Sequence, residues 1–191
     1  MKWPERVSVG TWLLVGAAFI ASQALALLAM GQPPICACGY VRFWGGIVSG
    51  PETSQQLTDW YTYSHVIHGI GFYFALWFVA PRVPVTIRFI LALGLEVGWE
   101  IFENTPFIIE RYRQLALAQG YFGDSIVNSV SDTMASAFGF LLARTLPARA
   151  TVALAISVEL FTAFMIRDNL TLNVIQLIHP IEAISRGQTG Q

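Results

Sequence analysis

The stretch VTIRFILALGLEVGWEIFEN, Val85–Asn104, decides how the whole chain is read. As a helix it is about long enough to cross a bilayer. Yet Glu96, Glu100 and Glu103 recur in it at spacings of four and three, which stacks three carboxylates on one helical face. An acidic side chain at mid-membrane costs about 3 kcal/mol, whereas each Leu or Ile returns only about 0.5. Such a helix cannot stand alone in lipid; its acidic face must meet a polar interior built by other helices.

Composition agrees with a membrane class. Hydrophobic residues make up 54% of the 191-residue chain and charged residues 12%, half the roughly 25% of globular domains, and mean hydropathy is positive. The formal net charge of −1 gives no electrostatic case for nucleic-acid binding. The length suits one all-α, polytopic transmembrane bundle over 1–191, with little length left for a separate soluble domain.

Around the acidic helix, four more apolar runs predict a total of five spans: about 9–30, 60–80, 85–104, 125–146 and 150–166. The first is longer than a usual signal-peptide core, although Ala24-Leu25-Ala26 leaves a cleavage site open, and no lipobox precedes Cys36. Pro81 and Pro84 separate the second and third spans, and Thr105-Pro106 disfavours continuation of the third. A polar connection follows from Glu110 to Gly123. Asp124-Ser125 then offers a helix cap, Asp124 being a cap in its plainest reading. The fourth span holds the small residues Ser129, Ser131, Ala135, Ser136, Ala137 and Gly139, which permit close helix approach. The fifth contains Glu159. A mildly apolar tail, Leu172–Ile184, is broken by Pro180 and suits the membrane interface or a dip into the bundle.

Lys2, Arg6, Arg82, Arg88, Arg144 and Arg149 fall on one side of such a bundle, against Arg42, Arg111, Arg113, Arg167 and Arg186 on the other. The first set includes the amino terminus, which favours a cytoplasmic N-terminus in a bacterial inner membrane. Trp44, Trp60 and Trp99 sit near span ends, as interfacial anchors do.

Four constellations carry potential chemistry. His65-x-x-His68 shares a face with Tyr61 and Phe72 and can present two ring nitrogens to a metal, move a proton, or pack against carboxylates. The face of Glu96, Glu100 and Glu103 suits acid–base work, cation binding or a proton path; its plain alternative is pairing with Arg88, Arg111, Arg113 or Arg167. Asp124, Asn128 and Asp132, spaced by four, form a third stripe. If these faces meet, one cavity holds all of them: His65, His68, Glu96, Glu100, Glu103 and Asp132 as catalytic candidates, with His65, His68 and Glu100 able to hold a divalent metal. Asp124 and Asn128, together with Arg111 and Arg113, would bind substrate. Cys36-Ala37-Cys38 is the fourth, readable as a redox pair, a metal fragment, or two small residues buried beneath Trp44.

Blocks along the chain carry a resemblance: Ile35-Cys36-Ala37-Cys38-Gly39, Asp59-Trp60-Tyr61-Thr62 with Ser64-His65 and His68-Gly69, Trp99-Glu100 with Glu103-Asn104, Arg111-Tyr112-Arg113, Gly123-Asp124-Ser125 with Asn128-Ser129 and Asp132, and Arg167-Asp168-Asn169-Leu170-Thr171-Leu172-Asn173. In order and over nearly the whole chain, they resemble an uncharacterised family of multi-pass bacterial inner-membrane proteins, which implies location and kinship and no activity. Over Glu103–Leu146 the order of acid, Arg, Asp, Asn and Gly is also similar to VanZ-like membrane proteins, which implies envelope biology.

Three function classes follow. An intramembrane enzyme would use Glu100 or Glu103 as general base, with a lipid or lipid-linked substrate entering sideways and Arg111 or Arg113 on an anionic headgroup. A proton-coupled transporter would relay through Glu96, Glu100 and Asp132; lacking an internal repeat, it would work as a homo-oligomer. An assembly protein would use the same groups as interhelical glue.

Overall fold

Five long helices stand where the apolar runs predict them, and their bounds differ from the expected spans by no more than a few residues. The computed structural model describes residues 8–189, so Lys2 and Arg6 lie outside the described residues. In chain order the elements are α1 (Val9–Ala29), β1 (Trp44–Gly45), β2 (Thr58–Asp59), α2 (Thr62–Val79), α3 (Val85–Glu103), α4 (Pro106–Arg113), α5 (Ile126–Thr145), α6 (Ala148–Ile166), α7 (Leu170–Ile178) and α8 (Glu182–Thr189). The architecture is all-α; β1 and β2 pair only as a two-residue parallel ladder.

Of the long helices, α1, α5 and α6 are apolar enough to cross a membrane by composition. Helices α2 and α3 have 18 and 19 residues but fall outside that group, α2 because His65 and His68 lower its hydropathy and α3 because it carries Arg88 and three glutamates. Sequence reading counted five spans; composition of the helices alone supports three.

Polarity runs opposite to that of a water-soluble domain. Leu14, Phe78, Leu160 and Phe164 are largely exposed, Phe164 at 84%, whereas Gln23, Glu96, Glu100, Asn128, Ser129 and Thr133 are at 0–1%. A polar interior inside an apolar shell is what a hydrocarbon surround demands.

Helix α5 lies at the centre, against α1, α2, α3 and α6. It runs parallel to α2 and very close to it. A Cβ on Gly69 would strike the Ser136 carbonyl oxygen, and one on Gly139 the Val66 carbonyl oxygen. Small residues thus let the two backbones nearly touch. Helix α1 is tied in through Gln23, whose Nε2 donates to Ser129 Oγ at 2.7 Å and whose Oε1 accepts from Thr133 Oγ1 at 2.8 Å.

Connections at one end of the bundle are short, 80–84 and 146–147. At the other end three longer segments converge: 30–61, 104–125 and 167–189. The first of these caps α5. Ile126 N donates to the Pro33 carbonyl and Val127 N to that of Pro34, while Ser125 Oγ donates to the Gln55 carbonyl and Asn128 Nδ2 to that of Gln56. Rings of Trp44, Trp60, Tyr63 and Phe161 meet edge-on or tilted at this end, 5.1 to 6.3 Å apart.

Two local expectations need correction. The polar stretch expected from Glu110 to Gly123 begins inside a helix, since α4 occupies Pro106–Arg113, because a proline in the first turn starts a helix as readily as it ends the preceding one. Ser125, not Asp124, caps α5 by accepting from Asn128 N at 3.2 Å. The tail forms α7 and α8. Asn169 caps α7, and Glu159 of α6 accepts from Leu170 N, Thr171 N and Thr171 Oγ1, so that carboxylate is used at a helix N-terminus.

Candidate functional site

The first turns of α2 and α5 and the last turns of α3 bring their polar faces to one place, at the end carrying the long connections. His65 of α2 is the hub. Its Nδ1 lies 2.6 Å from Glu96 Oε1 and 3.2 Å from Glu100 Oε1, both of α3, and its Nε2 lies 3.8 Å from Asp132 Oδ2 of α5. His68, one turn on, sets Nδ1 3.3 Å from both oxygens of Glu96. Its ring meets Trp99 edge-on at 6.0 Å.

Neighbouring residues fix these groups in turn. Ser129 Oγ donates to Glu100 Oε2 at 2.6 Å and Thr62 Oγ1 to Asp132 Oδ1 at 2.7 Å. Asp59 accepts from Tyr61 N and Thr62 N at the start of α2. Glu100 Oε1, although close to His65, receives no hydrogen bond; the nearer partner of His65 Nδ1 is Glu96 Oε1. Among the described residues no Arg or Lys lies within 4 Å of Glu96, Glu100, Glu103 or Asp132; the expectation of Arg88, Arg111, Arg113 or Arg167 as partners does not hold.

A cavity of about 60 Å³ opens beside this hub, room for several waters or a small polar group. His65, His68, Glu103, Asp124 and Asp132 line it, with Tyr61, Trp99, Tyr112 and Tyr121 as aromatic walls and Asn173 and Val174 of α7 as cover. Glu96 and Glu100 lie behind the lining and act on it through His65. Asn128 is also outside it, holding the Gln56 carbonyl.

Asp124 is clasped by Asn104, whose Nδ2 donates to Oδ2 at 2.7 Å while its Oδ1 accepts from Asp124 N at 2.7 Å; Tyr121 OH donates to Oδ1 at 2.9 Å. Burial pushes the Asp124 carboxyl up to about 6, against the lowering by Asn104 and Tyr121. Burial also raises the Tyr121 and Tyr112 phenols, with Asp124 and Glu103 respectively adding to it. Asp59 is raised by burial too. These groups stay neutral more readily than in water.

Two expected substrate-binding residues do other work. Arg111 donates through Nε to the Leu177 carbonyl at 2.9 Å and through Nη2 to that of Ile178, and Arg113 Nε donates to the Tyr121 carbonyl at 2.5 Å. A basic side chain at a helix C-terminus satisfies carbonyls left open there, so Arg111 fastens α7 and neither arginine lines the cavity. The expected metal trio of His65, His68 and Glu100 separates into two groups, His65 with His68 and Glu96, and His65 with Glu100 and Glu103. Cys36 and Cys38 are joined as a disulfide, with Cys36 buried and Cys38 exposed, so they are not two buried residues.

Sequence reasoning missed Gln23, Asn104, Tyr112, Tyr121 and Asn173. Gln23 carried a signal, being the one amide inside an otherwise apolar span; the others come from connections whose folding over the site no periodicity foretells.

The family described as "Protein of unknown function (DUF2585)" matches residues 27–190. A UPF0314 protein of Sphingopyxis alaskensis is 50% identical over 94% of this chain and 96% of its own length. One of Rhizobium meliloti is 50% identical over 94% and 91%, and one of Brucella anthropi 48% identical over 98% and 95%. No solved structure matches. With the profile covering most of the chain and these relatives matching it nearly end to end, the protein belongs to the DUF2585 family, alongside the bacterial UPF0314 proteins.

Proposed function

We propose that the protein is an enzyme of the bacterial inner membrane whose buried acid–base centre acts on an envelope lipid or lipid-linked substrate. One observation carries the reading: His65 lies between carboxylates of two other helices, beside a cavity at one end of the bundle, with no guanidinium among the described residues to neutralise them. A histidine bracketed in this way can accept a proton at one nitrogen while the other is held by a carboxylate. His65, His68, Glu103 and Asp132 are then the catalytic residues. Glu96 is a positioning residue acting through His65, Glu100 stands against the same imidazole, and Asp124 contacts the polar part of the substrate.

In this reading all five long helices cross the membrane, the N-terminus is cytoplasmic and the cavity faces the periplasm. Support comes from the sequence count of Lys and Arg, six on the side away from the cavity (Lys2, Arg6, Arg82, Arg88, Arg144 and Arg149) against five on the cavity side (Arg42, Arg111, Arg113, Arg167 and Arg186). The Cys36–Cys38 disulfide at the cavity end agrees with an oxidising compartment. Rings of Trp44 and Trp60 at that end suit the headgroup layer.

Mass-spectrometric profiling of envelope lipids in a deletion strain tests it. A lipid or lipid-linked species should accumulate in the deletion, return to normal with the wild-type chain, and stay high with His65→Ala or Glu103→Gln at equal protein level. Either variant restoring the profile would overturn the reading.

A further inference from the structure

We propose that this pocket binds one divalent transition-metal cation through His65, Glu100 and Glu103. The inference deepens the enzyme reading by naming its cofactor, and rests on that reading for what the cation would do; with the cation bound, His65 serves as a ligand in place of a proton acceptor. A ring nitrogen of His65 and one oxygen each from Glu100 and Glu103 lie within 4.8 Å of one another. Ligand atoms around a cation bound at 2.0–2.2 Å sit about 3–4 Å apart, so small side-chain rotations complete the site.

A second feature points to a missing ligand independently of this spacing. Glu100 is 1% exposed, its Oε2 is held by Ser129, and its Oε1 faces the cluster with no hydrogen bond. A buried carboxylate oxygen left open is costly unless a cation meets it. The competing group, His65 with His68 and Glu96, lacks this feature, because both oxygens of Glu96 already face imidazole nitrogens at 2.6 and 3.3 Å. Glu96 instead holds His65 by its ring, and Ser129 holds Glu100, the outer contacts that orient ligands in metal sites.

Charge and access agree. Four carboxylates, Glu96, Glu100, Glu103 and Asp132, lie around His65, with Glu96 also facing His68, and a divalent cation would offset this negative surplus. His65 and Glu103 both line the cavity, so a cation could enter and keep a coordination position open toward a substrate or water, as catalytic sites with three protein ligands do. One nitrogen with two carboxylates favours zinc, manganese or iron over calcium or magnesium.

Elemental analysis of the full-length protein, purified in detergent without chelator, tests the inference. The wild type should carry one equivalent of zinc, manganese or iron per chain, and chelation followed by return of that metal should lower and then restore its melting temperature. Glu103→Gln, a near-isosteric change at a half-buried position, should lose the metal while remaining folded, and the Cys36→Ser/Cys38→Ser double variant should keep it. Metal-free wild type that melts identically with each of these metals added overturns the proposal, as does metal retained equally in Glu103→Gln and Glu100→Gln. Metal-free protein whose lipid profile still depends on His65 removes the cation and leaves the acid–base reading. One equivalent of metal with no lipid phenotype does the reverse.

Discussion

Asp168 shows how a single buried carboxyl sets the pH response of the cavity's cover. It accepts from Tyr61 OH at 3.3 Å and Gln188 Nε2 at 3.1 Å, and burial raises it from 3.8 to about 6. The folded state therefore holds the proton more tightly than the unfolded chain. The contribution to stability is fully present below pH 3.8 and is lost as pH rises through about 6. Asp168→Asn should flatten the pH dependence of the melting temperature between these values, removing a swing of at most about 3 kcal/mol. At the Asn104–Asp124 clasp, Asn104→Ala removes three hydrogen bonds, two with Asp124 and one to the Glu100 carbonyl, and leaves a buried carboxylate short of partners; melting in detergent should fall by an amount equal to about 2–3 kcal/mol. At the hub, Glu103→Gln and His65→Ala should each lower turnover of the accumulating lipid about 100-fold or more. The candidates on α2, α3 and α5 were legible as residues because charge inside an apolar run is conspicuous. The partners that hold them, such as Asn104 and Tyr121, were not, since short polar residues in a connection look alike until the chain folds back.

Helices were legible in proportion to how strongly their pattern departs from its surroundings. The acidic face of α3 meets the histidine face of α2 and the Asp132 stripe of α5, as the spacing of those residues predicts. Helix α4 was hidden because Pro106 reads as a stop when its neighbour upstream is considered and as a start when its own first turn is. The small residues of α5 announced a close neighbour without naming it, and the neighbour is α2 through Gly69. Gly69→Ala and Gly139→Ala should each force the two backbones apart and destabilise the bundle by about 3 kcal/mol or more. Thermal melts would show it, and an Ala at Gly71, where a Cβ meets nothing within 4 Å, should be tolerated.

For the whole molecule, the inverted polarity and the gathering of 30–61, 104–125 and 167–189 at one end divide the protein into a lipid-facing shell, a polar centre and a capped mouth. The shell and centre follow from composition; the cap does not, because Arg111 and Gln55 are bonded to segments far away in sequence. Their long-range bonds arise from tertiary folding alone. A direct test of the shared centre is a double-mutant thermal cycle on His65→Gln and Glu96→Gln in detergent. Residues 2.6 Å apart in a dry interior should show a coupling of about 1–3 kcal/mol; single effects that add to within about 0.5 kcal/mol would mean that α2 and α3 do not share one pocket.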